Sequence, residues 1–229
     1  MFKEPRIPSA DGCCADLFPS NATKILGNTQ SIPCAFCAAC QENLSPTTPP
    51  QSNPRFPKHI FLTGGVQSGK STVLEKVLAR LNVSVGGFRT GSGPARHEQE
   101  RWLYLWDAAG EPDYDEACRV AHITPEHRKS FPDRFDALGC AVLRRARESG
   151  VDLILMDECG FLERDAMEFQ AEVLRTLDGD IPVFGVVRLR SSGWTDSIRS
   201  HPKVTLITVT EENRDELPKH LLSLLQKNI

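Results

Sequence analysis

The sequence has no long hydrophobic run: the longest, Leu153-Ile154-Leu155-Met156, stops at Asp157 and is far too short to span a bilayer. It also has no excess of positive charge. Twenty-seven Lys and Arg stand against 30 Asp and Glu, a net charge of −3, so nothing draws the chain as a whole to nucleic acid or to an anionic membrane. Any anion it binds is held by local chemistry. The first residues, MFKEPRIPSADGCC, lack the apolar stretch of a signal peptide, and a cytoplasmic protein is expected. No internal repeat is evident, and the six histidines fall at no ligand spacing, which leaves them structural or solvated. What is present, 229 residues with 40% hydrophobic and 25% charged side chains, suffices for one α/β domain and an appendage.

Cysteine is unevenly placed. Cys13, Cys14, Cys34, Cys37 and Cys40 lie in the first 40 residues, while Cys118, Cys140 and Cys159 are scattered and read as small packed hydrophobes. In a chain without an export signal this clustering points to thiol or metal chemistry more than to disulfides. Cys34, Cys37 and Cys40 form C-x-x-C-x-x-C, a spacing that turns three thiolates toward one ion or cluster. The next position of a ferredoxin-type run is Leu44, so a fourth ligand has to come from Cys13 or Cys14, another chain or an exogenous group. Zinc and a [4Fe–4S] cluster both fit, and free thiols in an unstructured tail are the plain alternative. The stretch NLSPTTPPQSNPRFP then forbids regular structure and reads as a linker. The expected division is a Cys-rich extension and Pro-rich linker over 1–57, and a separate folded domain over 58–229.

From His59 onward short apolar strands alternate with amphipathic helices. Strands are expected at 59–63, 101–107, 151–157, 181–187 and 203–209. Helices are expected at 70–81, 133–150, 163–177 and through 217–225, with Gly150 stopping the second. The near-continuous apolar runs VDLILMD and IPVFGVV suit a parallel sheet covered on both faces. The fold class expected is therefore α/β, a doubly wound, mostly parallel sheet flanked by helices.

The run Gly64-Gly65-Val66-Gln67-Ser68-Gly69-Lys70-Ser71 matches G-x-x-x-x-G-K-[ST] between a strand and a helix, the setting such a loop needs. Its glycines let successive N–H groups face a phosphate, and the helix N-terminus adds about half a positive charge. Lys70 would reach the β- and γ-phosphates, and the Ser71 hydroxyl, followed by Thr72, would ligate Mg²⁺. Opposite this loop LILM leads into Asp157 and Glu158 at a strand end. Asp157 is placed to hold the metal, and Glu158 to take a proton from an attacking water. In isolation such a pair is more often a solvated strand end; the phosphate loop changes that weighting.

With their surroundings these residues resemble the small nucleoside-triphosphatases first described from thermophiles and also called cancer-related NTPases. The resemblance rests on the phosphate loop, VGGFRT (85–90), FPDRFDALG (131–139), MDECGFLER (156–164) and VTEENRDELP (209–218), in the family's order. It implies a P-loop NTPase fold and Mg²⁺-dependent hydrolysis of ATP, GTP and other triphosphates. Gly64, Gly69, Lys70, Ser71 and Thr72 match the positions for phosphate and metal, Asp157 that for the metal, and Glu158 that for the water. Glu163 matches a second family glutamate, for which surface solvation at a helix start is the alternative. Arg188 and Arg190 match a basic pair, either of which would stabilise charge on the γ-phosphate. After Thr90 the family carries glutamates and an arginine in a basic hairpin; here Arg96, His97 and Arg101 are the candidates to substitute. The Cys-rich extension is a second departure. It motivates an alternative reading as a nucleotide-dependent switch or accessory ATPase that docks a protein partner. A small-molecule kinase ranks below both, because no arginine-rich lid segment stands out.

Overall fold

The computed structural model describes residues 58–94, 100–190 and 193–229. The cysteines Cys13, Cys14, Cys34, Cys37 and Cys40, and also Arg96 and His97, lie outside them.

Eight strands form one sheet in the order β5-β4-β3-β2-β6-β7-β1-β8. Five of them, β1 (His59–Thr63), β2 (Val85–Ser92), β6 (Leu153–Cys159), β7 (Val183–Val187) and β8 (Val204–Thr208), run parallel. β3 (Arg101–Asp107), β4 (Arg119–Ile123) and β5 (Arg128–Ser130) extend the sheet antiparallel from β2.

Side-chain alternation divides the parallel strands between two cores. Phe61, Phe88, Ile154, Met156 and Val183 face α3 (Cys140–Glu148), α4 (Met167–Asp178) and α5 (Trp194–Arg199). Ile60, Leu62, Leu155, Phe184 and Val186 face α1 (Lys70–Leu78) and α6 (Leu217–Leu225). Helices thus cover both faces of the parallel half, as the apolar runs require. At about 25 cal/mol per Å² this double burial is the main stabilising term of the domain.

Several boundaries differ from expectation. α1 ends at Leu78, three residues early, where Leu81 bonds back to Val77 and Leu78 in a tightened turn. The helix expected at 133–150 begins as α2 (Pro132–Arg134), passes through a wide turn at Phe135–Gly139 and continues as α3 to Glu148. The one expected at 163–177 starts only at Met167, because Glu163 folds inward instead of opening the helix. β4, β5 and α5 are not among the expected elements, and β2 is signalled only through the resemblance at VGGFRT. Cys140 and Cys159 are buried as expected, whereas Cys118 is only half-buried.

Two of the buried polar groups tie these layers together. Nε2 of His59 lies 2.9 Å from the Leu177 carbonyl, and its Nδ1 accepts from the Val183 N–H at 3.1 Å. Burial lowers its pKa to about 4, so the ring is neutral and ties β1 to β7. Glu172 of α4, 1% exposed, is held by Arg144 at 3.2 Å, by Arg147 and by Arg175 at 2.5 Å, which fastens α4 to α3.

Candidate active site

The sequence from β1 into α1 builds the floor of the site. Gly64 has φ +150°, and a Cβ there would sit 2.5 Å from the Val209 carbonyl oxygen, so only glycine lets the loop turn this close to the residue after β8. Gly69, at φ +100°, caps α1 in the left-handed region and starts the helix directly under the loop. Lys70 folds back over the loop, its Nζ donating to the carbonyls of Gly64 at 3.0 Å and Gly65 at 2.7 Å. Burial lowers the Lys70 pKa, against the opposing effect of Glu158. The hydroxyls of Thr63 and Ser68 are buried without a partner among the described residues, a polar surplus at the loop.

β6 delivers the carboxylates. Asp157 pairs in register with Arg89 of β2 on one side and Val186 of β7 on the other. Its burial and the negative charge of Glu158 push its carboxyl up to about 7. The Thr90 hydroxyl donates to the Asp157 carbonyl at 3.1 Å and accepts from the Glu158 N–H at 3.3 Å, so it clasps the peptide between the two acids. Glu158, 31% exposed, is ion-paired with Arg188 just past β7.

The loop after β6 is pinned from three sides. Glu163, 3% exposed, accepts from the Gly160 N–H at 2.8 Å. Trp194 Nε1 donates to the Gly160 carbonyl at 2.7 Å, and the Arg188 N–H donates to the Cys159 carbonyl at 3.0 Å. Burial raises the Glu163 carboxyl to about 7. Surface solvation of Glu163 is therefore overturned: it is an internal strut for the segment that carries Glu158.

Among the expected site residues, Gly64, Gly65, Val66, Gln67, Gly69, Lys70, Ser71 and Thr72 line one cavity of about 920 Å³ together with Glu158, Arg188 and Arg190. Ser68 and Asp157 are not on its wall; they lie behind it, in the loop and at the end of β6. Sequence reasoning missed Thr90, Trp194, Phe161, Leu189 and Arg128. Thr90 and Phe161 carried local signals, as parts of VGGFRT and MDECGFLER, and Leu189 sits between Arg188 and Arg190; Trp194 and Arg128 reach the site through long-range packing. Among the described residues no group of three or more His, Cys, Asp or Glu is arranged to hold a metal ion. No described helix is long and apolar enough to cross a membrane.

Residues 59–222 match the profile of the NTPase family. The chain belongs to that family. The nucleoside-triphosphatase THEP1 of Thermofilum pendens is 36% identical over 181 residues, covering 72% of this chain and 93% of the relative. The nucleoside-triphosphatase THEP1 of Thermotoga maritima is 27% identical, over 74% of this chain and 96% of the relative. Among solved structures, THEP1 from Aquifex aeolicus superposes with a TM-score of 0.59 at 23% identity, covering 73% of this chain and 99% of that one. A human cancer-related nucleoside triphosphatase gives 0.54 at 24% identity, over 74% and 98%. These structural likenesses carry the fold: the sheet and its two helical layers are those of a P-loop NTPase. All of these matches cover about three quarters of this chain and nearly the full length of the relatives.

Proposed function

We propose that this protein hydrolyses nucleoside triphosphates to the diphosphate and phosphate, with Mg²⁺ and with loose selection of the base. The observation that carries this reading is the convergence of the phosphate loop, Glu158 and Arg188 on one cavity. The names of the relatives, all nucleoside-triphosphatases, support the same reaction class.

The loop N–H groups and Lys70 hold the β- and γ-phosphates. Ser71, on the cavity wall, would ligate Mg²⁺, and Asp157, behind it, would hold the ion through water. The fit is chemical: Asp157 is a carboxylate raised to about 7 by burial and a neighbouring acid, and a cation beside it restores its charge. When bound, the ion neutralises charge on the β- and γ-oxygens. Glu158 orients the water and accepts its proton, a contribution of about 10²–10⁴-fold. Its carboxylate is engaged by Arg188, so a γ-phosphate that draws Arg188 to itself frees Glu158 for the water in the same movement. Thr90 and Glu163 position that carboxylate without touching substrate.

Phosphate release from ATP, GTP, CTP and UTP, with Mg²⁺ and then with EDTA, tests the reading. Turnover of several triphosphates that stops with EDTA is expected; absence of turnover with every triphosphate contradicts it. The assignment of Cys13, Cys34, Cys37 and Cys40 to zinc or a [4Fe–4S] cluster stands as part of the proposal, as does a cytoplasmic location. Metal and sulfide analysis of anaerobically purified protein tests the first.

A further inference from the structure

The cavity over the phosphate loop continues past its γ end. Arg188, Phe161, Val66 and Arg128 belong both to it and to an adjoining arm of about 170 Å³ whose far wall is Arg101 and Ile123. Lys70 and Ser71 line the first space and not the second, so the arm lies beyond Arg188 as seen from the loop.

The antiparallel strands build this arm with an unusual row. Arg101 of β3 stands opposite Ile123 of β4, and Ile123 stands opposite Arg128 of β5. Partners directly opposite share a face, so two guanidinium groups flank one isoleucine, with their strands about 10 Å apart. Arg190 enters the main cavity from past β7. None of Arg101, Arg128 and Arg190 is ion-paired with a described residue, whereas Arg89, Arg119 and Arg188 are paired with Glu75, Glu116 and Glu158. Like charges in one row repel, and a doubly charged anion placed between them turns that repulsion into attraction. Guanidinium groups suit the several oxygens of a phosphate in particular. The remaining surface is apolar: Phe161 is 41% exposed and Val66 95%. An exposed aromatic beside paired arginines fits a ligand with a phosphate at one end and a flat body at the other.

We propose that the arm seats a nucleoside monophosphate, and that this ligand takes the γ-phosphoryl group in place of water. The inference rests on the nucleotide reading above. An anionic oxygen of the monophosphate attacks the γ-phosphorus. The bond from that phosphorus to the β–γ bridging oxygen breaks, and its electron pair leaves with the nucleoside diphosphate. The acceptor becomes a second nucleoside diphosphate. Attack by a phosphate dianion requires no proton removal, whereas attack by water does. Glu158 is thus needed for hydrolysis and not for transfer. The arginines that form the seat come from three separate places in the chain, β3, β5 and the segment after β7, which is why no arginine-rich segment announces an acceptor site in the sequence.

The test uses full-length protein, γ-labelled ATP and Mg²⁺ at pH 8, with inorganic phosphate, a sugar phosphate or each common nucleoside monophosphate as acceptor. Label is expected in a nucleoside diphosphate. Arg101→Ala is expected to reduce that transfer at least tenfold while phosphate release without acceptor changes less than threefold, and Arg101→Lys to restore part of it. Glu158→Gln is expected to suppress phosphate release and keep transfer. Label found only in inorganic phosphate with every acceptor, while ATP is hydrolysed, overturns the inference and leaves the hydrolysis reading intact. Equal transfer to inorganic phosphate and sugar phosphate overturns the role given to the flat body. Neither release nor transfer overturns both readings together.

Discussion

The two halves of the sheet are built by different means. In the parallel half β1, β6 and β7 are buried on both faces and are nearly continuous runs of apolar residues, while the edge strand β8 is only half-buried. In the antiparallel half one face of β3 packs Leu103 and Leu105 toward the core, while the other carries Trp102, Tyr104 and Trp106. That second face is covered by side-chain stacking: Trp102 stacks on His122 with ring centroids 4.2 Å apart, and Arg119 lies 4.6 Å from the Trp102 ring. The parallel half therefore holds the phosphate loop, the acids and Arg188 at its strand ends. The antiparallel half projects cations at its rim. Placement at the ends of buried strands suits the chemistry proposed at the γ-phosphorus, and an open charged rim suits recognition of whatever approaches it.

The sharpest way to break this comparison is to remove a group from the parallel half. Lys70→Ala is expected to lower kcat/KM for phosphate release by about 10³-fold, or about 4 kcal/mol, without changing the melting temperature. Steady-state kinetics with a thermal melt decide it.

A smaller effect comes from buried titratable groups whose contributions to stability run in opposite directions. His59, lowered to about 4 from 6.5, binds fewer protons folded than unfolded between those values, so its contribution is full above pH 6.5 and is lost as pH falls toward 4. Glu163, raised from 4.5 to about 7, binds more protons folded, so its contribution is lost as pH rises from 4.5 to 7. Each amounts to about 3 kcal/mol. Asp157, raised from 3.8 to about 7, runs the same way as Glu163, so the two acids outweigh His59 and wild-type stability falls between pH 4.5 and 6.5. The double variant Asp157→Asn, Glu163→Gln should expose the His59 slope, with stability climbing by about 3 kcal/mol from pH 4 to 6.5, measured by urea unfolding. A flat profile in that variant would remove His59 from the account.

The smallest effect belongs to the antiparallel half. Trp102→Ala is expected to cost about 1–2 kcal/mol from lost stacking and to leave phosphate release within about twofold. A loss of turnover as large as that of Lys70→Ala would mean that the two halves are not separate in function.

This division also explains what was legible in the sequence. The phosphate loop and the Asp157-Glu158 pair are local patterns on elements with strong apolar signals, and the order of residues alone is enough to place them. β4, RVAHI, and β5, RKS, are short and charged, so neither periodicity nor an apolar run marks them. With them went the row of Arg101, Ile123 and Arg128. The pairing of Glu158 with Arg188 joins residues 30 apart in sequence, and a helical pattern from 163 suggested an exposed acid where the fold needed an internal strut. The site was thus readable where chemistry follows chain order, and hidden where strands far apart in sequence meet.

The most direct test of the central claim compares initial rates of phosphate release from ATP and Mg²⁺ by wild type and Glu158→Gln, with nucleotide affinity measured in parallel. A fall of about 10²–10⁴-fold with affinity retained is the predicted result. Unchanged release from the Glu158→Gln protein would contradict the mechanism.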